Sequence, residues 1–328
     1  MCLTCALLLA ACGAGTTGAA DPNPTEGRLQ IVTTVAPITS ITSNVVGDLA
    51  DVTGIVPEGT NSHTFEPSPS VAEVLSRADV VFINGLMLEE PTKNLAERNL
   101  KDGGELVELG NLTIGEDEYL YDFSFPRDEG KPNPHLWTDP TLVRRYAEII
   151  KDTVAERDPD NAGAYAANFE AFSNRIDEFD EAMRTSFATV PRDDRKLLTY
   201  HDAWAYFAQT YDWTVVGAIQ VSDFEDPTPR EVADLIDQVR AEDVKAIFGS
   251  EVFPSPVLEQ IGRETGIRYV DVLRDDDLPG RPGDPEHSWM GLMRFDFVTM
   301  VESLGGDASA LKEFDVSDVA PDTAHYPQ

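Results

Sequence analysis

The chain has 328 residues and carries 59 acidic against 25 basic side chains, which gives a formal net charge of −34 at pH 7. Because this charge repels phosphate backbones and attracts cations, we expect no nucleic-acid partner. All cysteines lie among the first twelve residues, which excludes a disulfide or a cysteine-based metal site in the rest of the chain; they are Cys2, Cys5 and Cys12.

Residues 1–27 are predicted to be a targeting signal and a tether outside the folded body. Residues 5–11 form an apolar run that is too short to cross a bilayer as a helix. The sequence Leu9-Ala10-Ala11-Cys12 resembles the bacterial lipoprotein signal, in which cleavage precedes a cysteine that then carries a lipid; an ordinary cleaved signal is the alternative. Residues 13–27 are small and polar, as is typical of a flexible tether. We therefore expect an exported protein, periplasmic or at the cell surface, anchored by lipidated Cys12 to the outer face of the cell membrane.

An alternation of strand and helix patterns begins after the tether. Runs rich in β-branched residues predict strands, and apolar residues three or four apart predict helices, several of which open with proline. The predicted strands are residues 29–35, 51–56, 79–83 and 105–109. The predicted helices are residues 37–46, 68–77 and 89–100, followed by one that starts at Asp139-Pro140. Together they predict an N-terminal lobe, residues 28–157, with an acidic loop over residues 113–134.

A long amphipathic linking helix is predicted next, over residues 158–190. Asp158-Pro159 opens it, and apolar side chains recur at spacings of three or four from Tyr165 to Phe187. Pro191 ends the pattern. A helix of this length can run along both parts of a two-lobed protein and join them rigidly.

The alternation then restarts and predicts a C-terminal lobe, residues 191–328. Its predicted strands are residues 196–200, 213–219, 244–248 and 267–272. Its predicted helices are residues 202–211, 228–241, 255–265 and 288–304. Strands that alternate with helices form parallel sheets covered by helices. The predicted fold class is therefore α/β, with two lobes of four βα units, parallel sheets and one long rigid helix between the lobes.

Polar residues that follow strands mark the candidate site, because ligands of open α/β sheets bind beyond the carboxyl ends of the strands. His63 follows the second strand, His135 the fourth and His201 the fifth, and Asp271 lies at the end of the eighth. Each lobe would supply two of these side chains. Three neutral imidazoles and one carboxylate suit zinc in charge, softness and tetrahedral number, so the pattern predicts a zinc site between the lobes.

Each of these residues also has a structural interpretation. A loop histidine is commonly a surface residue. His135 is placed to stack on Trp137, His201 to form a hydrogen bond at a helix end, and Asp271 to cap a strand. Glu66 is a candidate to orient a ligand by hydrogen bonding, or a capping residue.

Four stretches of the sequence resemble the zinc- and manganese-binding solute-binding lipoproteins of ABC importers, and the resemblance covers essentially the whole mature chain. The stretches are Ser62–Pro69 (SHTFEPSP), Asn133–Pro140 (NPHLWTDP), Tyr200–Phe207 (YHDAWAYF) and Tyr269–Leu273 (YVDVL). The resemblance implies two βα lobes joined by one long rigid helix, which the predicted linking helix matches.

The resemblance also implies roles for these residues and for the chain. It implies that the metal ligands are His63, His135, His201 and Asp271. It implies that the chain is not an enzyme and that it hands its metal to a membrane ABC permease. We further expect a monomer, and leave open a second protein that donates zinc to it.

The third ligand position bears on the choice of metal. Members that resemble zinc carriers have histidine there, and many manganese carriers have glutamate. His201 therefore favours Zn²⁺ as the bound metal, with a carrier selective for Mn²⁺ as the alternative. Zinc members often carry a histidine-rich loop before the second ligand, whereas residues 114–134 contain no histidine. We expect a supporting or surface role for His287 and no role for His325 in the tail.

A secreted zinc hydrolase is the rival hypothesis from another class of protein. It needs an open coordination position and a nearby base, and Glu66 is the only obvious candidate base. A surface adhesin with a structural metal is a third interpretation, which no sequence feature supports. For an importer subunit, we expect metal affinity to fall as pH falls through the histidine range at about 6.5, because protons compete for the imidazoles.

Overall fold

The computed structural model describes residue 25 and residues 27–219, 228–250 and 255–327. Cys12, the predicted signal and nearly all of the predicted tether lie outside these ranges. Two four-stranded sheets, each with parallel pairing throughout, and the helices around them form two lobes. This confirms the predicted fold class. Within the described ranges, no helix combines the length and the apolar character that crossing a membrane would require.

The first lobe contains a sheet with the strand order β2-β1-β3-β4. Its strands are β1 (Leu29–Thr33), β2 (Ala50–Gly54), β3 (Val80–Ile83) and β4 (Glu105–Glu108). Its helices are α1 (Ala36–Val46), α2 (Pro69–Arg77), α3 (Glu90–Asn99), α4 (Leu109–Thr113) and α5 (Pro140–Arg157). All residues of β3 are apolar and buried, because helices cover both faces of this parallel sheet.

The long helix α6 (Ala162–Phe187) follows and leads to the second lobe. The sheet of that lobe has the order β6-β5-β7-β8, which is the same permutation as in the first lobe. Its strands are β5 (Lys196–Thr199), β6 (Thr214–Ala218), β7 (Ala246–Ser250) and β8 (Arg268–Leu273). The helices after α6 are α7 (Ala205–Tyr211), α8 (Pro229–Ala241), α9 (Pro256–Thr265), α10 (Trp289–Ser303) and α11 (Ser309–Glu313).

One apolar core runs through both lobes along α6. This helix packs on α1 and α5 of the first lobe and on α10 and α11 near the C-terminus. Its buried face consists of Tyr165, Phe172, Ile176, Phe179, Met183, Ser186 and Phe187. Trp289 of α10 reaches into the first lobe, where its main-chain N–H donates to Ser40 Oγ and its indole N–H donates to the carbonyl of Trp137, each at 2.9 Å. Because this apolar core is shared by both lobes, it does not mark where one lobe ends and the next begins, and the predicted lobe boundaries stay a prediction.

The C-terminal tail returns to the first lobe and lies along the edge strand β2. The main-chain N–H of His325 donates to the carbonyl of Val52, and the N–H of Gly54 donates to the carbonyl of His325, each at 2.9 Å. Asn44 of α1 donates its side-chain amide to Asp318 at 2.7 Å. The tail thus ties the end of the second half of the chain to the sheet of the first half.

Candidate metal centre

His63 lies in the loop that follows β2. It occupies the middle of a single 3₁₀ turn, Ser62–Thr64, which interrupts the extended loop. Asn61 caps this turn, because its side-chain oxygen accepts the main-chain N–H of His63 at 2.9 Å. The cap fixes the backbone at His63 and thereby directs its imidazole towards the space between the lobes.

His135 is positioned by rigid neighbours at the end of the acidic loop. Pro134 precedes it, and a second 3₁₀ turn, Leu136–Thr138, follows it directly and leads into α5. His135 is buried, at 1% exposure. Its ring packs edge-on against the indole of Trp137, with the ring centroids 5.0 Å apart. The two rings are therefore in contact, but edge-on and not stacked as the structural interpretation had it.

His201 belongs to the second lobe and stands just beyond the end of β5. The N–H of Tyr200 donates to the carbonyl of Phe248 in the neighbouring strand β7 at 2.8 Å, which carries the sheet pairing up to the residue before His201. The His201 side chain is buried. The carboxyl ends of the strands of the second sheet therefore face the two histidines that the first lobe supplies.

The structure brings the three histidines together. His135 Nε2 lies 3.2 Å from His63 Nε2 and 3.1 Å from His201 Nε2. Among the described residues, these three form the one group of at least three possible metal-binding side chains whose ligand atoms all lie within 4.8 Å of one another. An ion with Zn–N bonds of about 2.05 Å in tetrahedral geometry would hold its nitrogens about 3.3 Å apart. The two measured separations are therefore close to the edges of such a tetrahedron.

Desolvation keeps the three imidazoles neutral. It lowers the pKa of His201 to about 3. It also lowers the pKa of His63 and that of His135 well below the ordinary value of 6.5, with a further repulsive contribution from His201. At neutral pH each ring therefore keeps a nitrogen lone pair, which is the form that binds a metal.

Asp271, the predicted fourth ligand, is not among the side chains that the structure groups with the three histidines. Strand β8 continues to Leu273, so Asp271 lies within the strand and its side chain is exposed. The loop that follows β8 instead places Asp275 and Asp276 in the lining of one cavity with the three histidines. Acidic side chains at the centre thus come from beyond the strand end, where ligands of parallel sheets are expected.

An aromatic ring from the acidic loop covers the centre. Phe125 is buried, and its ring centroid lies 5.5 Å from those of His63 and His201 and 5.7 Å from that of His135. The loop therefore contributes an apolar cover that excludes water, in place of the additional imidazoles found in histidine-rich loops.

The other singled-out residues lie away from the three imidazoles. Glu66 is exposed. His287 is buried with its ring 4.6 Å from that of Tyr326, and it lines a separate cavity with Glu58 and Asp277. His325 is used through its main chain in the pairing with β2.

The buried polar residues that lie behind His135 were not identified from the sequence. Asn133 and Asp202 are fully buried, and the carboxyl groups of Asp202 and Asp122 are hydrogen-bonded to each other. Burial raises the pKa of Asp202 well above its usual range and that of Asp122 to about 6. Asn133 and Asp202 each lie within two positions of a predicted ligand, in the motifs NPHLW and YHDAW. This closeness in sequence is the feature from which a supporting role for both residues could have been predicted.

Three neutral imidazoles that converge from two α/β lobes, beside carboxylates and beneath an aromatic cover, define a protein that holds a divalent metal ion between its lobes. Comparison with known proteins agrees with this class. The family described as "ZnuA: Zinc-uptake complex component A periplasmic" matches residues 31–303. The "Manganese-binding lipoprotein MntA" of Halalkalibacterium halodurans is 31% identical over 300 residues, which cover 91% of this chain and 95% of that protein.

Two further proteins extend the comparison. The "Iron-binding protein YfeA" of Yersinia pestis is 28% identical over 288 residues, covering 87% of this chain and 89% of that protein. The structure of the periplasmic zinc binding protein TroA from Treponema pallidum matches with a TM-score of 0.76 over 85% of this chain and 99% of that one. At 21% identity, this second match shows a likeness of fold alone.

The chain therefore belongs to the ZnuA family of metal-binding lipoproteins of ABC importers. It is a metal-binding component of such an importer and not an enzyme, so the hydrolase hypothesis has no support. The relatives are named for manganese, iron and zinc, and family membership by itself does not select one of these metals.

Proposed function

We propose that this protein captures Zn²⁺ between its two lobes and delivers it to a membrane ABC permease. The observation that carries the proposal is the convergence of three neutral imidazoles, with Nε2 atoms 3.1 and 3.2 Å apart. A set of three nitrogens suits zinc better than manganese, which prefers carboxylate, carbonyl and water oxygens. Manganese is the second candidate, because relatives are named for it and two carboxylates adjoin the histidines.

The proposed ligands are the three histidines and the carboxylate of Asp275. Asp275 is buried, and its carbonyl accepts the indole N–H of Trp137 at 2.9 Å, which holds it beside the ring that packs on His135. Asp276 is the alternative candidate, because it lines the same cavity. Two ligands would then come from each lobe, so that separation of the lobes would open the coordination sphere and release the ion.

The proposed setting follows from the family and from the N-terminal sequence. Relatives are named as lipoproteins of ABC transporters, and Cys12 is the residue we propose to carry the lipid. The protein would then act as a monomer on the outer face of the cell membrane, with the permease as its partner. Mass spectrometry of the membrane-extracted protein tests the anchor, since a lipid on Cys12 should be absent from Cys12→Ala.

Metal analysis of the purified protein after dialysis against equal zinc and manganese tests the proposed ligand set. We expect one zinc ion per chain in the unaltered protein and in His287→Ala, which removes a buried histidine distant from the three. We expect none to be retained in His135→Ala and a markedly reduced amount in Asp275→Asn, because each loses a proposed ligand. A preference for manganese would overturn zinc as the cargo. If Asp275→Asn retains its zinc and Asp276→Asn loses it, the fourth ligand is Asp276 and not Asp275.

A further inference from the structure

Asn133 connects the ring of His135 to the buried carboxyl pair behind it. Its side-chain oxygen Oδ1 lies 2.9 Å from His135 Nδ1 and accepts the main-chain N–H of His135 at 3.0 Å. Its side-chain nitrogen Nδ2 donates to Asp122 Oδ2 and to the carbonyl of Asp202, each at 2.7 Å. Asn133 is fully buried; three of its four contacts are buried, and the contact to Asp122 is partly buried.

These contacts leave one orientation for the Asn133 amide. A main-chain carbonyl accepts hydrogen bonds and cannot donate one, so the end of the amide that faces the Asp202 carbonyl must be the NH₂ group. A main-chain N–H can only donate, so the end that faces the His135 backbone must be the oxygen. The two ends of the amide are therefore assigned independently, and the assignments agree.

The orientation of the amide determines where the proton of His135 resides. Because Oδ1 of Asn133 is an acceptor, the Nδ1 atom that faces it at 2.9 Å must carry a hydrogen. The neutral imidazole has one N–H, so its Nε2 atom bears a lone pair. That Nε2 atom is the one that lies within 3.2 Å of the Nε2 atoms of both His63 and His201.

We propose that Asn133 is a positioning residue that holds His135 in the Nδ1-protonated tautomer and presents its Nε2 lone pair to the incoming metal. Asp122 and the Asp202 carbonyl act through Asn133, since they prevent its amide from rotating. The opposite tautomer would place a hydrogen at Nε2, which a metal would have to displace before it could bind. The inference rests on the proposed metal site, but the tautomer is a property of the metal-free protein and can be measured without the metal.

The test is the ¹⁵N spectrum of the metal-free protein labelled at histidine, which distinguishes a protonated from a bare ring nitrogen at each position. In the unaltered protein we expect His135 to show a protonated Nδ1 and a bare Nε2. In Asn133→Leu, which keeps the side-chain size but removes the acceptor, we expect Nε2-protonated His135 to appear. We expect zinc affinity to fall ten- to hundredfold in that variant, as is typical when a partner of a metal-binding histidine is lost.

Asn84→Leu is the matched control. Asn84 is also buried and also supports this loop, because its amide donates to the carbonyl of Pro134 at 2.9 Å, but among the described contacts it makes none with the imidazole. If the role of Asn133 were only to support the loop, both variants would behave alike. We expect Asn84→Leu to keep the Nδ1-protonated tautomer of His135.

A double variant separates the tautomer from the loss of folding stability. Asn133→Asp keeps an acceptor at Nδ1 but sets carboxylate oxygen against both Asp122 and the Asp202 carbonyl. Adding Asp122→Asn restores a donor to the first of these contacts and leaves the second unpaired, so the double variant is less stable but keeps the acceptor. We expect the double variant to keep the Nδ1-protonated tautomer and to bind zinc more tightly than Asn133→Leu. A protonated Nε2 on His135 in the unaltered protein, or an unchanged tautomer in Asn133→Leu, would overturn the inference. An Nδ1-protonated His135 in a protein that binds neither zinc nor manganese would instead contradict the proposed function.

Discussion

At the scale of single residues, the three imidazoles of the centre owe their neutrality to the removal of water around them. An imidazolium buried beside two other rings loses its hydration, and at His63 and His135 it is also repelled by a neighbouring imidazole, so its pKa is lowered. The sequence-based expectation was that protons would compete with the metal at the ordinary histidine pKa of about 6.5. The lowered values move that competition to a more acid range.

Zinc affinity should therefore change little between pH 7.5 and pH 6.0. Three imidazoles with an ordinary pKa of 6.5 would each lose about fourfold in neutral fraction over this interval, or roughly fiftyfold together. With the pKa of His201 at about 3 and those of His63 and His135 well below 6.5, the rings are neutral at both pH values, and we expect a change of less than about threefold. Competition with a chelator of known proton affinity measures this. A fiftyfold loss would show that the rings are hydrated before the metal binds.

The sequence predicted the three histidines that converge, whereas it did not predict the acidic residues that line the cavity beside them. Each histidine follows a strand whose end is marked by a change from β-branched to polar residues. Strand β8 has no such mark, because Val272 and Leu273 continue the pattern after Asp271. Its end is set by pairing with β7, whose register shifts between Phe248 and Ser250. A register shift depends on the neighbouring strand and leaves no signal in the local sequence.

At the scale of elements, the loop that carries His63 is held by the opposite lobe. The N–H of Gly59 in this loop donates to Asp277 Oδ2, which follows β8, at 2.9 Å. Ser62 of the same loop is hydrogen-bonded to Asp276. These contacts join the loop of the first lobe to the segment of the second lobe that lines the centre, so opening of the lobes must break them.

Removal of the Asp277 carboxylate should speed release of the metal. A hydrogen bond of this kind contributes about 1 kcal/mol to the closed arrangement, which corresponds to roughly fivefold in the dissociation rate. We expect Asp277→Ala to show this increase in a stopped-flow experiment with excess chelator, and Asp277→Asn to show less of it, since its amide oxygen still accepts. Asp284→Ala is the control, because Asp284 accepts the N–H of Arg281 within its own lobe. Equal rates for Asp277→Ala and Asp284→Ala would argue against a latch between the lobes.

The regular elements were predictable because they are long enough to show a period. All eight strands lie where the alternation placed them, and the apolar face of α6 follows the predicted spacing. Helix α6 begins at Ala162 and not at residue 158, because residues 159–161 form a turn in which the N–H of Asn161 donates to the carbonyl of Asp158 at 3.2 Å. The five-residue helices α4 and α11 were missed, since so short a segment contains little more than one helical turn.

At the scale of the whole molecule, several buried carboxyl groups hold protons in the folded state. Burial raises the pKa of Glu89 to about 7, and it does the same to Asp318 in the tail. Both values lie above the ordinary carboxyl pKa of about 4. The folded chain therefore keeps protons that the unfolded chain has lost, and the stability that this contributes disappears as pH rises through about 7.

Protonation of Glu89 and Asp318 should favour the folded, metal-free protein as pH is lowered from 8 to 6.5. The two carboxyl groups together contribute on the order of 1 kcal/mol to the free energy of unfolding, which corresponds to about 2–4 °C in Tm. The buried imidazoles oppose this contribution over the same interval, because each histidine of the unfolded chain is already about half protonated at pH 6.5. Calorimetry at several pH values therefore compares variants. Relative to the unaltered protein, Glu89→Gln should lose part of the carboxyl contribution to the pH dependence of Tm, whereas Glu97→Gln, on the exposed side of α3, should not; an identical pH dependence in both variants would contradict the assignment to Glu89.

The way in which the lobes meet could not be predicted from local patterns. The contact of Trp289 with Trp137 joins residues 152 positions apart, and Ser43 of α1 donates to Asp322 in the tail across 279 positions. Such contacts depend on the packing of complete lobes. Periodicity reports only which face of a helix or strand is buried, and not which distant segment covers it.

The position of the Trp137 indole makes the centre observable by tryptophan fluorescence. It lies edge-on to the His135 ring and donates its N–H to the main chain of Asp275, so it contacts one proposed ligand from each lobe. A cation bound to that imidazole changes the electric field at the indole, and separation of the lobes breaks its hydrogen bond. The emission of this tryptophan should therefore follow both occupancy and opening, and the protein needs no attached dye to report on its own cargo.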